Sequence, residues 1–166
     1  MNKDIVPQDY SMELAIFDAV PVLLFGASGV LLFRMTNSIL VFLGALICFL
    51  AGMLKVLWKV FVVTKKKNVW FLYEQMRYGM PLGFALILLG INIGLITGKS
   101  SRFFFVMGQP LPMLFFVFSI VGIFGMVVFS KKLDSVKGST NWIEETCNTM
   151  AQGAFLISMH MAFLNY

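Results

Sequence analysis

Two carboxylates stand out by their placement: Asp18, in the apolar stretch AIFDAVP, and Glu145, in the polar opening NWIEETCN of the last helical run. An ionisable side chain in hydrocarbon is expensive, and such residues mark proton or ion pathways or internal pairs. Asp18 precedes Pro21, whose ring removes a backbone donor and leaves the carbonyl of Phe17 free. A carboxylate beside a loosened carbonyl suits a proton or a cation. The alternative is an interfacial Asp18, hydrated or paired with Lys or Arg. At about 100° per residue, Glu145, Asn148, Thr149, Gln152 and His160 fall along one helical stripe, with Leu156 filling the gap. Glu145 to His160 covers roughly 22 Å along the axis. Lipid satisfies none of these groups, so the stripe is expected to face the bundle interior or a water-filled path between the first and last spans. Its carboxylates would lie at the inner end, with the titratable His160 nearer the outside. Against this, Glu144 and Glu145 also suit the first turn of any helix through its dipole, and His160 suits the outer headgroups.

Other groups have weaker chemistry. Trp58, Trp70, Tyr73, Tyr78 and Trp142 flank the expected cytoplasmic ends as an ordinary aromatic belt, with Tyr73, Glu74 and Arg77 as the alternative of a charged lip over an inner mouth. Gly90, Gly94 and Gly98 make two overlapping GxxxG steps, and Gly44, Cys48 and Gly52 make a small-xxx-small face. Such faces let helix backbones approach closely, within the chain or against a partner helix or second copy. Asn92, between Gly90 and Gly94, is expected to hydrogen-bond across a close helix contact. The chain has a single His and no HExxH, no GxSxG and no phosphate-binding Gly loop. Cys48 and Cys147 stand apart as free thiols, and the 12 Met are scattered as packing material rather than spaced as a metal relay. No metal and no cofactor is expected, and the balance leans away from an enzyme.

These residues need a scaffold, and composition dictates its kind. Of 166 residues, 59% are apolar and 13% charged, with a mean hydropathy of +0.86. A soluble domain this small leaves too much surface exposed to hide that apolar content. The expected fold is therefore an all-α polytopic transmembrane bundle, a single domain with spans at about 14–33, 38–57, 80–97, 112–129 and 142–163. A polar region over 58–77, introduced by Lys55, reads as the main cytoplasmic loop. Pro81 suits the first turn of the third span. Gln109-Pro110-Leu111-Pro112 delays the fourth span to near Pro112 and leaves 103–107 for the interface, while Gly138 to Asn141 cap the last helix. The N-terminal segment carries three acids and lacks a small-residue cleavage site, so the first span is expected to be retained.

The formal charge of +5 would suggest nucleic acid in a soluble protein, but here the basic residues gather at span ends, so no nucleic acid is expected. With the N-terminus inside, ten basic residues are cytoplasmic: Lys3; Lys55, Lys59, Lys65, Lys66, Lys67 and Arg77; and Lys131, Lys132 and Lys137. Arg34, Lys99 and Arg102 are the three outside, and Tyr166 ends outside. A cell-membrane protein with a cytoplasmic N-terminus is the resulting expectation. Asp18…Pro21 and Arg77…Pro81 each open a hairpin, a faint echo of a duplication. The functional expectation is a small transport protein, or the membrane subunit of a larger transporter, for a proton, cation or small solute. The competing expectation is an accessory or assembly subunit whose loop 58–77 docks a cytoplasmic protein. An intramembrane enzyme using its carboxylates ranks third.

Overall fold

The computed structural model describes residues 9–132 and 137–166; the side chains of residues 130 and 131 are also left undescribed. Lys3, used in the orientation argument, lies outside the described residues. The described residues form an all-α bundle: α1 (Met12–Phe17), α2 (Ala19–Thr36), α3 (Ile39–Lys65), α4 (Trp70–Glu74), α5 (Met76–Ile96), α6 (Ser101–Met107), α7 (Pro110–Lys132) and α8 (Gly138–Leu164). Four stretches are long and apolar enough to cross a membrane: Met12–Thr36, Ile39–Lys65, Trp70–Ile96 and Pro110–Phe129. α8 matches α3 in length but is less apolar.

The long helices pack as a row, α5 on α3, α3 on α2, α2 on α8 and α8 on α7. α5 and α7 therefore lie at opposite ends, so the second hairpin of the proposed duplication does not form. α3 and α8 flank α2 on opposite sides. Short α1 bridges them at one end, where it packs on α3 and touches α8. That end, named the inner end for reference, carries the exposed Lys65, Lys66 and Lys67 and the exposed Lys132 and Lys137.

Local sequence explains each boundary. Ser11 caps α1 by accepting the Leu14 N–H at 3.2 Å, and the helix breaks at Asp18, ahead of Pro21. α2 stops at Asn37 in left-handed conformation (φ 47°), whose N–H reaches Phe33 O at 2.7 Å. Lys66 ends α3 in the same way at φ 51°. α7 starts at Pro110, with Pro112 also in its first turn, where a missing N–H costs nothing.

Three expectations fail here. The 58–77 loop does not exist as such: α3 continues through Lys65, the link covers 66–69, and α4 follows. The apolar residues Leu57, Trp58, Val60, Phe61, Val62 and Val63 keep α3 going past its lysines, and Trp58, expected in the aromatic belt, is buried. Pro81 lies inside α5 rather than at its start, because the helix begins five residues earlier, at Met76. The 103–107 segment belongs to α6, which turns Phe103, Val106 and Met107 into the core instead of lying as a free interfacial piece.

The glycine faces are also redistributed. Gly44 sits directly over the Gly83 carbonyl and Ile87, so α3 and α5 meet backbone to backbone there. Gly90 abuts Ser38 and Val41 of the same interface, and Gly52 abuts Val22 of α2. Gly94, in contrast, is covered by Ser100 from the next turn of chain, and Gly98 supplies a positive φ (75°) at the end of α5. Neither Gly94 nor Gly98 is a helix-packing residue. Asn92 is exposed and donates to its own Leu88 carbonyl at 2.8 Å, so it does not bridge helices.

Candidate functional site: a buried charge quartet

Asp18 at the α1–α2 break, Lys55 and Lys59 one turn apart on α3, and Glu145 on α8 converge into a closed ring of alternating charge. Lys55 Nζ lies 3.3 Å from Asp18 Oδ1 and 2.8 Å from Glu145 Oε1. Lys59 Nζ lies 3.2 Å from Asp18 Oδ2 and 2.8 Å from the same Glu145 Oε1. Asp18, Lys59 and Glu145 are almost wholly buried, whereas the Lys55 side chain is 20% exposed. Two ammonium groups and two carboxylates sum to zero, which is the condition under which buried charges are tolerated.

The depth follows from helix rise. Lys59 and Lys55 lie about 9 and 15 Å from the inner end of α3, Asp18 about 9 Å from the start of α1 and Glu145 about 10 Å from the start of α8. Asp18, Lys59 and Glu145 thus lie at similar depth, with Lys55 one turn deeper. α3 and α8 share no extensive packing of their own, so across α2 the quartet is their main link.

An aromatic layer covers the quartet on the inner side. Tyr10 places its ring 5.8 Å from Lys59 Nζ and meets Trp58 edge-on at 6.1 Å, and Trp58 packs on Tyr73 at 4.9 Å. Trp58 Nε1 donates to Asn68 Oδ1 at 2.9 Å. Leu14, Val62 and Leu72 fill the gaps. Burial pushes the Tyr10 phenol well above its usual range, against the opposing pull of Lys55, so it stays neutral and caps the site as an apolar ring.

Of the residues expected from sequence, Asp18 and Glu145 come together. Asn148 and Gln152 are half-buried further along α8, with no hydrogen bond joining them to the quartet among the described residues. His160 is exposed at the far end of α8, so the buried face of the helix does not extend to it and the single five-residue stripe does not hold. Tyr73, Glu74 and Arg77 surround a separate cavity with Trp70 and Met76. Lys55 and Lys59 were missed because they read as loop lysines. Their i, i+4 spacing within the apolar run 39–63 is the signal that would have placed them on one helix face.

Further atoms complete the site. Asp18 Oδ2, Glu145 Oε2, the neighbouring Glu144 Oε1 and, one turn on from Glu145, Thr149 Oγ1 are buried with no hydrogen-bond partner among the described residues. No metal-type cluster occurs among the described residues.

No protein family, curated protein or solved structure matches the chain.

Proposed function

We propose that this chain is a small membrane transport protein, or the membrane subunit of a larger transporter, in which the Asp18–Lys55–Lys59–Glu145 quartet is a proton- or cation-operated lock between α3 and α8. In this reading α8 is the fifth span and the N-terminus is cytoplasmic, in the cell membrane. The observation that carries it is the ring of four ion pairs, buried and neutral, with one oxygen of each carboxylate lacking a hydrogen-bond partner among the described residues.

The operation follows from charge. A proton taken up by the Asp18–Glu145 carboxylate pair converts one of the two to a neutral acid and leaves the ring with one excess positive charge. With the proton on Glu145, both 2.8 Å contacts lose their ionic partner. Lys55, the less enclosed of the two lysines, moves first, while Lys59 stays with Asp18. The link between α3 and α8 is thereby released without breaking an extensive helix interface. A cation that displaces Lys55 from the two carboxylates has the same effect. An accessory subunit would use the identical ring as a static clamp.

Proton and cation flux into liposomes separates the two. Wild-type protein is expected to conduct, and Glu145→Gln to lose at least about tenfold of that flux while retaining its circular dichroism and its size-exclusion profile. Well-folded wild-type protein without flux removes the stand-alone transporter in favour of the clamp.

A further inference from the structure

Beside the quartet, and separated from it by the Trp58–Tyr10 layer, lies a cavity of about 300 Å³ lined by Trp70, Tyr73, Glu74, Met76 and Arg77. We infer that it binds a small zwitterionic group, an ammonium joined to an anionic oxyacid, as in phosphoethanolamine or the headgroup of phosphatidylethanolamine. This assignment does not depend on transport.

Three observations point to that chemistry. First, the walls are aromatic and braced: Trp70 and Tyr73 lie 5.3 Å apart, and Tyr73 is backed by Trp58, itself held by Asn68. Aromatic faces of this kind attract an alkylammonium. Second, the cavity carries one charge of each sign. Glu74 ends α4 and Arg77 is the second residue of α5, on either side of Gln75, whose side-chain amide donates to Ala51 O at 2.9 Å and Leu72 O at 3.1 Å. That anchor fixes the bend that presents both residues to one space. Although they stand three residues apart, Glu74 and Arg77 form no ion pair with each other or with any described residue, so both charges remain for a ligand of opposite polarity. A carboxylate suits the ammonium, and a guanidinium suits a phosphate or carboxylate through its planar fork. Third, the cavity sits by the link 66–69 and the exposed Lys65 to Lys67, the level at which headgroups lie. Its volume falls at the lower end of the range for small-ligand sites.

The test uses the full chain in nanodiscs of phosphatidylglycerol alone, with intrinsic tryptophan fluorescence as the readout. Phosphoethanolamine is titrated from solution, and in a second arm phosphatidylethanolamine is blended into the nanodisc. A saturable change in the first arm assigns a free solute, and in the second arm only, a lipid headgroup; either supports the site. Glu74→Gln and Arg77→Gln, both at positions outside the core, are each expected to weaken the response about tenfold or more, because each removes a charge-assisted contact. Ethylammonium and inorganic phosphate, each carrying half of the ligand, should bind at least about tenfold more weakly than the zwitterion. No saturable change in either arm overturns the assignment. So does a response that both variants leave intact, or one that ethylammonium alone reproduces at equal concentration.

Discussion

Lys59→Met is the sharpest probe of the quartet. The Lys59 side chain is 1% exposed, and its ammonium lies 2.8 Å from Glu145 and 3.2 Å from Asp18. At an effective dielectric of about 20, each such contact contributes roughly 5–6 kcal/mol of gross attraction. Desolvation of the ammonium and repulsion from Lys55 offset most of that. Removing one partner of a buried pair nevertheless costs about 3–5 kcal/mol, because the remaining carboxylates are left short of one positive charge. Methionine keeps the volume and the unbranched shape, so cavity formation adds little. Lys55→Met should cost less, as that side chain is 20% exposed and its charge is less enclosed. The double variant Lys59→Met/Glu145→Gln restores neutrality and should fall short of the summed single costs by about 1–3 kcal/mol. The assay is equilibrium unfolding in mixed micelles by dodecyl sulfate titration, followed by circular dichroism. A loss under about 1 kcal/mol for Lys59→Met, or strict additivity in the double variant, would refute the closed ring.

Packing and topology offer further checks. Gly44→Ala drives a methyl group into the Gly83 carbonyl and the Ile87 backbone, and should cost about 1–3 kcal/mol in the same unfolding assay. Gly153→Ala meets nothing within 4 Å on α8, and should be neutral or stabilise by up to about 1 kcal/mol through helix propensity. For orientation, a cysteine replacing the exposed Lys99 should react with an impermeant maleimide in intact cells, and one replacing the exposed Thr64 only after permeabilisation; the reverse pattern inverts the topology.

The helices were legible because their signals are local. An unbroken apolar run declares a span, Pro110 and Pro112 mark a start, and Asp18 before Pro21 marks a break. Asp18 and Glu145 were legible as costly residues, but their partners were not. Lys55 lies 37 residues from Asp18 and 90 from Glu145, and nothing near Lys55 distinguishes a lysine that closes a ring from one that ends a span. The glycines erred for a related reason. The contacting face of α5 runs through Gly79, Gly83, Ile87 and Gly90, with Gly79 over Ala51 and Gly83 over Cys48. Placing Pro81 in the first turn cut Gly79 out of the helix and shifted attention one step toward Gly94 and Gly98, where the chain is already turning.

Moving Lys55 and Lys59 from a loop into the quartet tests the orientation argument, since both had counted as cytoplasmic. Eight of the ten inner basic residues remain against Arg34, Lys99 and Arg102, so the vote keeps its sign. The quartet also takes equal numbers of each charge, two Lys against Asp18 and Glu145, so the entire formal charge of +5 resides in the rest of the chain. The two roles of lysine are thereby separated. Lys65, Lys66 and Lys67 at the end of α3 carry the orientation argument, while Lys55 and Lys59 hold a ring whose net charge is zero. A neutral ring presents no net charge of its own to an arriving proton, yet a single proton unbalances it. Screening by salt is weak at that depth. In the proposed lock, one proton on the Asp18–Glu145 pair therefore changes what holds α3 to α8.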